Sequence, residues 1–108
     1  MIARIWHGRT KIKDFEEYTE FMKSKAIPDY RNTDGFVKFT FLRRKDGNIG
    51  HFTLITFWEN IEVIKNFAEE DFEKAKYYTE DKRFLLDFEE KVIHYEVFAE
   101  EDQTHNNG

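Results

Sequence analysis

Four histidines, His7, His51, His94 and His105, are the side chains of this 108-residue chain whose ordinary pKa lies close to neutrality. None stands at metal-ligand spacing from another, so no metal centre is expected. The chain has no cysteine, which excludes disulfides, thiolate metal sites and a cysteine nucleophile. His7 closes a run of apolar residues and has two readings: a general base at a pocket, or a strand-end histidine bonded to a loop carbonyl. Trp58 ends a second apolar run and could stack on a substrate or fill the core. His94 and Tyr95 are neighbours on a strand and must face opposite ways, so at most one of them enters any one pocket. Glu80 and Asp81 follow Tyr77 and Tyr78; two adjacent carboxylates can share acid–base work or sit solvated after a cap. There is no glycine-rich phosphate loop and no nucleophile elbow.

The elements that must position these groups follow from spacing. IARIWH (2–7) is rich in strand formers. Asp14 and Glu17 have the spacing of a helix cap, and Phe15, Tyr18, Phe21 and Met22 then form an apolar stripe that Pro28 should end. GFVKFTFLRR and HFTLITFW are strands joined at Asp46-Gly47. Pairing about that turn sets Phe41 opposite Phe52, Phe39 opposite Leu54, Phe36 opposite Phe57 and Lys38 opposite Ile55. Asn60 can cap a second helix with Ile61, Ile64, Phe67 or Ala68, Phe72 and Ala75 on its stripe. Thr79 can cap a short third one that buries Phe84, Leu85 and Phe88. KVIHYEVF is the last strand. The order is βαββαβ, an α+β, ferredoxin-like arrangement with a four-stranded antiparallel sheet and helices on one face. Residues 1–99 make this domain, and 100–108, without an apolar residue after Ala99, are expected to be a flexible tail.

In residues 51–58 both rows of the strand are apolar: Phe52, Leu54, Thr56 and Trp58 on one side, His51, Thr53, Ile55 and Phe57 on the other. Helices cover one face. The other, about 400 Å² for four strands, carries Phe36, Ile55 and Phe57 and approaches the limit of roughly 300–600 Å² that monomers expose. A second copy is the simplest cover, giving a homodimer built sheet against sheet as a dimeric α+β barrel.

The charged residues, 36% of the chain with a net charge of −5, are interleaved rather than blocked. No basic stripe is present, so nucleic acid is not an expected partner. No run approaches the ~20 apolar residues of a membrane span, and the charged N-terminal stretch lacks the apolar region of a signal peptide. No membrane association and a cytoplasmic location are expected. The aromatic share is 18%, with twelve Phe. That is more ring area than a small core needs, which points to a pocket or an interface as well.

WHGRT, ITFWEN, FAEEDFEKAKYYTEDKRFLL and VIHYEVF resemble antibiotic biosynthesis monooxygenase (ABM) domain proteins, over roughly residues 1–98. The resemblance implies dimeric α+β barrels with a pocket between sheet and helices. Some members oxidise polycyclic aromatic substrates with oxygen and neither metal nor flavin; others degrade haem. The haem-degrading set, an Asn, a Trp and a His, falls by position on His7, Asn66 and Lys76, or after a slide of one residue on Phe67 and Tyr77 for the last two. None matches, so tight haem binding of that type is not expected and no cofactor is implied. What the resemblance implies instead is a cofactor-independent monooxygenase-like protein acting on a small aromatic or hydrophobic molecule. Its pocket would be lined by Trp58, by Phe21 or Met22 and by Ile64 or Phe67, with His7 as the base if Ala3, Ile5 and His7 face the helices. The alternative is a non-catalytic dimeric module that binds a small apolar ligand.

Overall fold

A computed structural model describes residues 1–102; most of the expected tail, 103–108 with His105, lies outside the described residues. Four antiparallel strands, β1 (Ile2–Lys11), β2 (Phe36–Asp46), β3 (Ile49–Trp58) and β4 (Ile93–Glu96), form one sheet in the order β2-β3-β1-β4. The helices pack on one face of it. This is the expected ferredoxin-like α+β arrangement.

The alternation in β3 is complete. Gly50, Phe52, Leu54, Thr56 and Trp58 are buried under the helices, and His51, Thr53, Ile55 and Phe57 are half-buried on the open face. Antiparallel pairing then fixes the faces of β1: Arg4 lies opposite Thr56, Trp6 opposite Leu54 and Gly8 opposite Phe52. These three are the helix-facing residues. Ala3, Ile5 and His7 therefore lie on the open face, so the condition under which His7 would serve as the pocket's base is not met. A buried Arg4 hides the true phase of this strand.

The β2–β3 register differs by two residues from the expected one. The turn is formed by Gly47 and Asn48, with Asp46 opposite Ile49 and Phe41 opposite Leu54. A shift of two keeps each side chain on its face. Phe36 is the exception. A bulge at Val37 lets Phe36 pair with Trp58 while Lys38 pairs with Phe57, so Phe36 turns under the helices, stacks on Tyr30 at 5.9 Å and meets Trp58 edge-on at 5.3 Å. Phe36 is thus half-buried against the core and not part of the open face.

The first helical arm is longer than expected. After a 3-10 turn at Ile12–Asp14, α1 (Phe15–Phe21) passes through a π turn (Met22–Ala26) into α2 (Ile27–Arg31). Asp14 makes no side-chain cap. Pro28 does not stop the arm. The π turn sends the Ile27 N–H to the Met22 carbonyl, and Pro28 arrives at the start of the next segment, where a missing N–H is tolerated. The second helix, α3 (Ile61–Ala68), is capped by Asn60, whose side chain accepts from the Val63 N–H at 3.0 Å. It ends at Glu69, with φ of 69°, so Phe72 and Ala75 fall outside it. The last helix, α4, is the single turn Asp81–Phe84. Thr79 makes no side-chain cap there, and Phe88 is exposed instead of buried.

Gly35 and Gly47 both have positive φ, 88° and 58°, but their surroundings differ. A Cβ on Gly35 would lie 2.4 Å from Val63 Cβ, whereas one on Gly47 meets nothing within 4 Å. Gly47→Ala should cost about 1–2 kcal/mol of backbone strain. Gly35→Ala should cost that plus about 1–3 kcal/mol for forcing α3 away. Urea unfolding of the two variants would show a difference of at least ~1 kcal/mol; equal losses would rule out the Gly35–Val63 contact.

Candidate functional site: a groove beneath the β2 edge

The helical arm leaves the β2 side only partly covered: Phe39 and Phe41 are half-buried. The result is an open groove of about 320 Å³. Its sheet side is built from Phe39 and Phe41 of β2 with Phe52 and Leu54 of β3, and its helix side from Met22 and Ile27. Thr19, Lys23 and Arg43 supply the polar groups. The volume sits at the lower end of the ~300–1,000 Å³ range of ligand sites, with the apolar walls and few polar groups typical of them. Met22 and Lys23 belong to the π turn, a local irregularity common at functional sites.

The walls are locked from behind. Phe52 packs against Phe15 at 5.2 Å and edge-on to Tyr18 at 5.0 Å, while Phe39 and Phe41 touch each other at 4.7 Å. On the rim, Arg43 Nη1 donates to Glu16 Oε1 and to Thr19 Oγ1, each at 2.9 Å. Its guanidinium lies 4.6 Å from the centre of the Phe15 ring. The hydrogen bond from Arg43 holds the Glu16 carboxyl below the usual carboxylate range, helped by the fields of Arg43, Lys45 and Lys23.

The residues named from sequence are scattered relative to this groove. Met22 lines it. Trp58 and Ile64 are fully buried; Trp58 donates its indole N–H to Thr56 Oγ1 at 2.9 Å and is surrounded by Tyr30, Phe36 and Phe67. Phe67 is stacked on Tyr30 at 4.6 Å, with the Lys76 ammonium 4.0 Å from its ring centre. Phe21 turns toward Tyr18, Tyr78 and Phe84. Large side chains thus fill the space beside Trp58. His7 lies on the opposite face of the sheet, exposed, with Nδ1 3.6 Å from Glu89, and does not reach the groove. Ile27, Phe39, Phe41 and Arg43 were missed as site residues. The alternation Phe39, Phe41, Arg43 was the available signal.

Two buried polar clusters brace the fold rather than form a site. Asp81, only 1% exposed, accepts from Tyr18 OH at 2.8 Å and from the Tyr78 N–H at 2.6 Å. Burial pushes its carboxyl up, and these two donors oppose the rise. Its sequence neighbour Glu80 is exposed, so the two carboxylates do not act as a pair. Arg4, 3% exposed, donates to the carbonyls of Phe72 at 2.6 Å and Lys74 at 3.3 Å and lies 3.3 Å from His94 Nε2. Burial, then the charge of Arg4, lowers the pKa of His94.

No family model matches the chain, and no curated protein matches it. Solved structures do. A presumed antibiotic biosynthesis monooxygenase from Nitrosomonas europaea superposes with a TM-score of 0.67 at 16% identity, over 92% of this chain and 100% of that one. The haem degrader MhuD from Mycobacterium tuberculosis, with two haems in its active site, gives 0.65 at 17% identity, over 94% and 100%. SnoaB from Streptomyces nogalater, a cofactor-independent oxygenase, gives 0.54 at 12% identity, over 96% and 98%. The chain has the fold of ABM-like proteins.

The Tyr18–Asp81 bond generates a pH-dependent outcome. Tyr18→Phe removes a donor from a buried carboxylate and should cost about 1.5–3 kcal/mol at neutral pH. The folded pKa of Asp81 lies above its ordinary value. As pH falls through that pKa, Asp81 protonates in the folded state and depends less on the lost donor. The gap between the two proteins in urea unfolding should therefore narrow toward acid pH. A gap that stayed constant or widened would contradict the assignment.

Proposed function

We propose that this protein takes a small aromatic or hydrophobic molecule into the groove between β2, β3 and the first helical arm, as a cofactor-independent monooxygenase-like protein. The observation that carries the reading is the groove itself: Phe39, Phe41, Phe52 and Leu54 on one side and Met22 and Ile27 on the other, an apolar slot of about 320 Å³, within the size range of small-molecule sites. The ABM-like fold supports it, since SnoaB, of the same fold, is a cofactor-independent oxygenase. In that chemistry the deprotonated substrate itself gives an electron to oxygen. The protein must hold the ring, exclude water and keep the substrate ionised. A binding module without chemistry is the second reading. One observation favours it: His7, the expected base, stands on the other face, exposed beside Glu89.

The groove reading is tested with 2-naphthol. Saturable binding to the unmodified protein is expected, and Ile27→Trp, which fills the slot, should weaken it about tenfold or more, roughly the 1.4 kcal/mol of one lost decade, with circular dichroism unchanged. His7→Ala should alter neither binding nor any oxygen consumption. Loss of activity in His7→Ala with Ile27→Trp fully active would transfer the site to the other face.

The assembly we propose is a homodimer closed over the open sheet face, and the location the cytoplasm. Ile5, Leu42, Ile55, Phe57, Ile93 and Tyr95 form the apolar part of that face. Leu42, Ile93 and Tyr95 are each about half exposed in the isolated chain, at 49%, 51% and 53%. Covering such a face is the simplest relief. Phe57→Lys should give monomers by analytical ultracentrifugation while the thermal unfolding transition stays cooperative. Phe36→Lys should instead unfold the protein, because Phe36 packs against the core. A stable monomer of the unmodified chain at micromolar concentration would end the dimer proposal.

A further inference from the structure

The groove's lining holds two charged side chains, Lys23 and Arg43. Both are positive, in a chain whose net charge is −5. A third cation stands close by: Lys45 lies 5.4 Å from the centre of the Phe15 ring that also carries Arg43. The acids that answer them, Glu16 and Glu20, sit outside the groove on exposed turns of α1. Arg43 reaches Glu16 at 2.9 Å, and Lys23 reaches Glu20 at 3.6 Å. The hydrogen bond from Arg43, and then the charges of Arg43, Lys45 and Lys23, hold the Glu16 carboxyl below its usual range.

We propose that the groove selects aromatic anions. The ring lies against Phe39, Phe41 and Phe52, and a carboxylate or phenolate oxygen is taken by the Arg43 guanidinium at the rim. The inference rests on the groove being the ligand site, as proposed above. Both polar contacts of Arg43 are made by one nitrogen, Nη1. The planar fork carries five N–H donors, so an incoming oxygen can use the others or replace Glu16. That replacement costs little, since an exposed ion pair contributes little stability. Thr19, which donates to the Phe15 carbonyl at 2.8 Å while accepting from Arg43, holds the guanidinium over the slot. Such a cation does what the mislaid base was expected to do. It keeps a bound phenol ionised by stabilising the phenolate, with no general base in the groove.

Two isosteric probes separate ring binding from charge recognition: 2-naphthoate and 2-naphthamide. The unmodified protein at low salt should bind 2-naphthoate about fivefold or more tightly than the amide, the upper range of a single exposed charge contact. Arg43→Gln should abolish that preference and leave amide affinity unchanged; Arg43→Lys should keep part of it. The absorbance midpoint of bound 2-naphthol should move to lower pH than that of the free compound, and should move back in Arg43→Gln. Equal affinity for the two probes, or an equal loss for both in Arg43→Gln, would overturn anion selection while leaving the groove as the ligand site. Failure of both probes to bind would overturn the groove reading and this inference with it.

Discussion

Trp58 is the contact on which the other elements converge. Its indole ends β3, is wholly excluded from water, and touches Phe36 of β2, Tyr30 of α2 and Phe67 of α3 at centroid distances of 5.3, 6.2 and 5.6 Å. One ring thus ties the edge strand, the helical arm and the second helix together. Its burial is helped by the indole N–H finding Thr56 Oγ1 at 2.9 Å; without that partner the group would carry a desolvation cost of about 1–3 kcal/mol. The bulge at Val37 follows from the same contact. It brings Phe36 under the helices against Trp58 and returns the rest of β2 to register. What remains open is the strip farther along β2, where Phe39 and Phe41 are only half-buried. The core's tightness around Trp58 and the groove's position at the edge have one cause.

The strand order, the two-sided apolar character of β3 and the faces of Phe39, Phe41, Phe52 and Leu54 were legible because period-2 alternation is a strong signal and a register error of two does not disturb it. The turn was placed two residues off in register because Asp46, Gly47 and Asn48 all suit turns, and nothing local chooses among them. The phase of β1 was not legible. One row reads Ala3, Ile5, His7 and the other Arg4, Trp6, Gly8, and binary patterning excludes a buried arginine. Arg4 is tolerated because the carbonyls of Phe72 and Lys74 meet it, a partnership formed by residues nearly seventy positions away. The phase decides the place of His7: opposite Thr53, it stands on the open face.

The same guanidinium bears on the second helix. The apolar stripe continues past Ala68 to Phe72 and Ala75, so periodicity extends the helix through 75. A helix ending near Ala75 would leave the Phe72 and Lys74 carbonyls among its last four, without intrahelical partners. The structure gives them to Arg4, and the chain turns at Glu69 instead. Among the described residues Arg4 has no carboxylate partner, and a buried cation needs strong acceptors; the loop after Glu69 supplies two carbonyls. Nothing in the local apolar period signals that contact with β1.

Moving the site from the centre of the sheet to its edge changes the chemistry open to it. A pocket beside Trp58 would have been dry and enclosed and would have needed a buried base. The groove beneath β2 is half open, with apolar walls and a cationic rim. Such a site is poor at abstracting a proton through a neutral side chain, but it favours the ionised form of whatever acidic ring it holds. Oxygenation without a cofactor requires that ionised form, because the electron comes from the substrate anion. The two readings therefore share their first step, capture of a ring with its charge at Arg43. They part only at whether the bound ring is held away from water well enough, under Met22 and Ile27, for oxygen to meet it before it leaves.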